Sequence, residues 1–128
     1  MTQTPLRIAG ALALTTALAL SAAACGSGNK SAACGKLQST IQDTTKKGMT
    51  QISDPNALAQ TYASSAATMR KQGKESGDGD VEKAANHVAT AMENIGGQVK
   101  AASNGTPQMP DTSDLIAGGK ELKQACDG

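Results

Sequence analysis

Three features of the sequence predict an all-α fold, an up-down-up-down four-helix bundle closed by one disulfide. Four segments carry apolar residues at three- or four-residue spacing, and no stretch alternates in the manner of a strand. Turn chemistry separates them at Ser53-Asp54-Pro55, at Gly77-Asp78-Gly79-Asp80 and from Ser103 to Pro110. Two cysteines, Cys34 and Cys126, stand near the start of the first segment and the end of the last, two places that an up-down-up-down order brings to the same end of a bundle.

The first helix is expected from about Ser31 to Ile52, with Cys34, Leu37, Ile41, Thr45, Gly48 or Met49, and Ile52 on one face. Ser53 and Asp54 offer capping side chains, and Pro55 suits a first helical turn because its missing N–H has no partner to lose there. The second helix should therefore run from Pro55 to about Lys74, with Leu58, Tyr62, Ala66 and Met69 inward and Gly73 small enough to let helices approach. Asp80 is the expected cap of a third helix, whose face is the most regular: Val81, Ala84 or Ala85, Val88, Ala91 or Met92, Ile95 and Val99. Gly96-Gly97 inside it costs about 1 kcal/mol per glycine relative to Ala, and a bend is expected there. Asp111 or Thr112 can cap a fourth helix carrying Leu115, Ile116, Gly119, Leu122 and Cys126.

Composition makes this core thin. Phe and Trp are absent and Tyr62 is the only aromatic, so Leu, Ile, Val, Met and Ala must supply the burial that large aromatics usually contribute. A long-range disulfide would offset the deficit. Lys and Arg exceed Asp and Glu by one, and Arg7 is in the leader, so the remainder is neutral. A neutral surface without a basic stripe argues against nucleic acid as a partner.

Ahead of the helices the chain reads as a secretory leader. Met1 to Arg7 is short and polar with one positive charge, Ile8 to Leu20 is apolar, and small residues follow. An uncleaved anchor is the competing reading, but Ile8 to Ala24 is at the low limit of the roughly 20 residues that a spanning helix needs. Ordinary cleavage after Ala22-Ala23-Ala24 also satisfies the small-residue rule. The cysteine count bears on the choice. Three cysteines in an oxidising compartment leave one unpaired, whereas a lipid on the Cys25 sulfur leaves Cys34 and Cys126 as a pair. The alternative for those two is a pair of buried free thiols.

Ser21-Ala22-Ala23-Ala24-Cys25, followed by the polar Gly26-Ser27-Gly28-Asn29-Lys30, resembles the lipobox and spacer of bacterial lipoproteins, and the Ala-rich body resembles small lipoproteins of actinobacteria. A lipobox typically has Leu three places before the cysteine, where this chain has Ala22. The resemblance implies a diacylglyceryl group on Cys25. The expected organisation is then a signal peptide at 1–24, a lipidated N-terminus and spacer at 25–30 and a bundle at 31–128.

Residues that could carry chemistry have plainer readings. Counting from Asp78, a calcium loop would need glycine at Lys83 and a final Glu at Ala89, so Asp78 to Glu82 reads as a capping turn. His87 is the only histidine, lies off the Val81-Val88-Ile95 face and has no ligand partner at metal spacing. It is expected to be solvated. Met49, Met69 and Met92 lie on apolar faces and read as gap-filling core, not as soft-metal ligands. Lys46-Lys47 and Arg70-Lys71 read as solvated faces. No nucleophile motif accompanies His87, so neither catalysis nor a cofactor or metal site is expected.

The expectation is a non-enzymatic lipoprotein, held to the extracytoplasmic face of the cell membrane by its lipid, that binds a protein or an envelope component. The alternative is a carrier of a small apolar or metal ligand within the bundle. A space of about 300 Å³ or more between the helices would favour the carrier.

Overall fold

A computed structural model describes residues 28–106 and 109–128. Among them are four helices and no strand: α1 (Gly28–Thr50), α2 (Pro55–Glu75), α3 (Gly79–Ser103) and α4 (Ser113–Asp127). Cross-helix contacts fix the directions. Thr40 reaches Gln72 and Thr44 reaches Ser65 from α1 to α2, while from α3 His87 reaches Glu121 in α4 and Gln98 reaches the Asp111 N–H just ahead of it. Gly73 lies against Glu82 and Ala85, and Gly96 against Ala59 and Tyr62, across the α2–α3 pair. Rising numbers on one helix meet falling numbers on the next, so each neighbouring pair is antiparallel. The order is up-down-up-down, and Cys34 and Cys126 are joined with a Cα–Cα distance of 5.9 Å.

The helix starts follow their local chemistry. Asp54 caps α2 by accepting a hydrogen bond from the Ala57 N–H at 3.0 Å, with Pro55 in the first turn. For α3 the cap is Asp78, not Asp80: its Oδ1 accepts from the N–H groups of Asp80 and Val81, each at 3.0 Å. Gly77 supplies the reason. Its φ of +67° turns the chain early enough for the helix to begin at Gly79, which puts Asp80 inside the first turn. At α4, Asp111 Oδ1 accepts from the Ser113 N–H at 2.9 Å, and Thr112 makes no side-chain cap bond. α1 begins at Gly28, three residues earlier than expected, and ends at Thr50.

The core sits on the α2–α3 pair, which forms the largest interface. Met69, Val81, Val88 and Met92 are fully buried there, with Leu37 from α1 and Leu122 from α4 closing the sides. Contact this close requires small residues. A Cβ on Gly73 would stand 2.6 Å from the Ala85 Cβ, nearer than real Cβ atoms come. Gly96 does similar work against the Ala59 carbonyl and the Tyr62 Cβ, each 3.3 Å from where its own Cβ would be. α3 is one helix through Gly96-Gly97, so the first of this pair serves packing and does not end an element.

The expected inner face of α1 holds only over its first half. Ala33, Cys34 and Leu37 are buried, as is Thr44, one position from the expected Thr45. Met49 and Ile52 are 63% and 74% exposed and do not belong to the core. On α4, Ile116 is exposed, and Gly118, not Gly119, makes the close approach, against Val88. One cause underlies both differences: α1 leans on α2, its direct interface with α4 is small, and the fixed point between those two helices is the disulfide.

Candidate functional site

Away from the disulfide, α1 and α4 diverge and leave an apolar groove of about 390 Å³. Ile41, Met49 and Ile52 of α1 and the segment after it form one wall, Leu115 of α4 the other, and Leu58 of α2 and Met92 of α3 the floor. No lining residue is charged. The threonines that reach it are internally satisfied: Thr44 Oγ1 donates to the Thr40 carbonyl oxygen at 2.6 Å and shares a hydrogen bond with Ser65 Oγ, and Thr45 Oγ1 donates to the Ile41 carbonyl oxygen at 2.9 Å. With those protons engaged, the threonines offer a ligand their methyl groups and acceptor lone pairs, but no donor. Tyr62 also lines the groove, and its hydroxyl makes no hydrogen bond to another described residue.

Helix lengths explain the opening. α1 has 23 residues and α4 has 15, which at about 1.5 Å per residue differ by roughly 12 Å. The shorter helix cannot cover the whole of the longer one. Gly48 deepens the floor, because a side chain there would extend toward the Leu58 Cδ1 and the Tyr62 hydroxyl. Sequence periodicity assigned Met49 and Ile52 to the core, since spacing reports which side of a helix is apolar but not whether another helix covers it. The difference in expected helix length was the available signal.

A second hollow, of about 510 Å³, runs along the outside of the α2–α3 contact. Ala59, Ala63, Gly96 and Gly97 line it, together with the charged Glu93 and Lys100. The Glu93 carboxylate at its edge is already engaged by Arg70, whose Nη2 donates to Glu93 Oε2 at 2.7 Å while Nη1 donates to the other oxygen. This pair corrects the expectation of a merely solvated Arg70. It holds the Glu93 carboxyl below its ordinary range, chiefly through the hydrogen bonds.

Asp78 is a cap and also meets Lys30 Nζ at 3.3 Å, and the Val81 N–H, then Lys30, lowers its pKa. His87 is not simply solvated, for its Nδ1 lies 2.8 Å from Glu121 Oε2 and ties α3 to α4. Met69 and Met92 are core, whereas Met49 is not. Among the described residues no three His, Cys, Asp or Glu side chains gather in a group able to hold a metal ion. Cys25 and the leader lie outside the described residues, and no helix among those described is long and apolar enough to cross a membrane.

The architecture thus defines a small disulfide-closed helical bundle with an apolar groove at one pole. No family model, curated protein or solved structure matches the chain.

Proposed function

We propose that this protein is a non-enzymatic lipoprotein, anchored through Cys25 on the extracytoplasmic face of the membrane, that works by binding an apolar ligand at the pole opposite its disulfide. The observation that carries the binding reading is the uncharged groove, whose volume of about 390 Å³ exceeds the roughly 300 Å³ at which small-molecule sites begin. It favours a carrier of an apolar ligand over the otherwise expected face for a protein or envelope component. The leader supports the anchor: an apolar run ends in small residues at Cys25, and a two-chain lipid there gives stable attachment.

Intact-mass spectrometry and fractionation test the anchor together. The mature protein should begin at a lipidated Cys25, and Cys25→Ser should move it out of the membrane fraction. A mature chain that begins at Cys25 without lipid refutes the anchor.

A further inference from the structure

Resting on the reading of the open pole as the binding face, we infer that the Cys34–Cys126 bond is a redox latch on that face: a dithiol reductant that opens it frees α1 from α4 and empties the groove. The two helices are the opposite walls of the groove, with Ile41 and Met49 on α1 and Leu115 on α4. Among the described residues no hydrogen bond or ion pair joins them. Those that leave α1 run to α2, from Thr40 to Gln72 and from Thr44 to Ser65, or from Lys30 to Asp78 ahead of α3. Glu121 of α4 turns the other way, to His87 of α3. Wall is therefore held to wall by the disulfide, from which the two helices diverge, and by a small apolar contact around it.

Exposure sets the point of attack. Cys34 is buried in the core, whereas Cys126 is only partly buried, in the last turn of α4, and an accessible sulfur is the one open to exchange. A thiolate of the reductant attacks Cys126 Sγ, the S–S bond breaks, and the electron pair leaves on Cys34 Sγ, which takes up a proton. The second thiol of the reductant, once deprotonated, displaces Cys126 from the mixed disulfide in the same way. The reductant departs as an intramolecular disulfide, and two electrons and two protons have passed to the protein. Release follows from what then holds each wall. α4 keeps Leu122 in the core and the close approach of Gly118 to Val88. α1 keeps Leu37 as its one large fully buried side chain, while Met49 and Ile52 stand exposed, so α1 is the wall that moves.

The experiment uses the full chain with Cys25→Ser, which removes the third thiol and the lipid. The uncharged fluorophore N-phenyl-1-naphthylamine probes the groove, and hydrogen exchange follows α1 and α3, in oxidised protein, after dithiothreitol, and after re-oxidation with oxidised glutathione. Gly48→Leu extends a side chain toward Leu58 and Tyr62, so it should abolish uptake by the oxidised chain and thereby place the probe. With fewer than about a tenth of reduced chains keeping α1 docked, reduction should weaken binding at least about tenfold, and re-oxidation should restore it. Amides of α1 should lose protection on reduction while those around Val88 keep theirs. Gly97→Ala, which has open space for its methyl group and lies outside the groove, repeats the series in a more stable body. Binding that survives reduction overturns the latch, whatever α1 does, and leaves the groove as the binding face. Uptake in neither state, or uptake that Gly48→Leu leaves intact, overturns the binding reading, while α1 released on reduction keeps the latch between the walls. Loss of α3 protection together with that of α1, in Gly97→Ala as well, overturns the latch, because the bond then supports the whole fold.

Discussion

Opening the Cys34–Cys126 bond should weaken the fold by about 4–5 kcal/mol, and the loss should fall first on α1. The bond spans 92 positions, and the chain-entropy relation for a loop of that size gives about 4–5 kcal/mol, comparable with the whole net stability of many small domains. α1 is the least embedded helix. Leu37 is its one large fully buried side chain, worth about 1.5–3 kcal/mol, and the seam above it is built from hydroxyl and amide contacts worth about 1 kcal/mol each. Ordering the 23 residues of α1 costs more than 1 kcal/mol per residue in backbone entropy, far beyond what those contacts return without the cross-link and the helix's own hydrogen bonds. Urea unfolding of the Cys25→Ser chain with and without reductant measures the total, and Cys34→Ser with Cys126→Ser checks that the reductant acts only there. Hydrogen exchange locates it: amides of Gly28–Thr50 should lose protection while those around Val88 in α3 keep more of theirs. A shift below about 1 kcal/mol, or α1 amides as protected as those of α3, refutes the reasoning.

Gly73→Ala should destabilise by about 1–2 kcal/mol in urea melts, because overpacking against Ala85 and the Glu82 backbone outweighs the helix-propensity gain, whereas Gly97→Ala, with open space around its Cβ, should stabilise by up to about 1 kcal/mol. Asp54→Ala removes the α2 cap and should cost about 1 kcal/mol by the same measurement. The carboxyls of Asp78, Glu93 and Asp111 all have pKa values lowered by folding. Their contribution is therefore complete above the ordinary carboxylate range near 4 and is lost as pH falls through the lower folded values, so stability should be flat near neutrality and drop on the acid side. Asp78→Asn, which keeps a capping side chain, should shallow that acid slope; an unchanged slope contradicts the assignment to Asp78.

The four helices and their order were legible in the sequence, and that order made Cys34 with Cys126 the expected pair, which the structure joins. These are local or countable properties: apolar spacing names a face, Asp and Pro mark starts, and four helices joined in up-down-up-down order bring the first and last ends together. Gly73 was also legible as a contact residue, because a glycine on an inward face has no other evident use. Tertiary structure decided which parts of the predicted faces are covered. Met49 and Ile52 follow the α1 period as well as Leu37 does, yet Leu37 has α2 and the core against it, while they lie where α1 diverges from the shorter α4. Partner choice at the surface was equally hidden, since Arg70 with Glu93 and His87 with Glu121 pair across helices at separations that no periodicity encodes. Spacing along one helix records its own apolar side, but burial is a property of two surfaces, and where the second surface ends is set only when the helices are placed together.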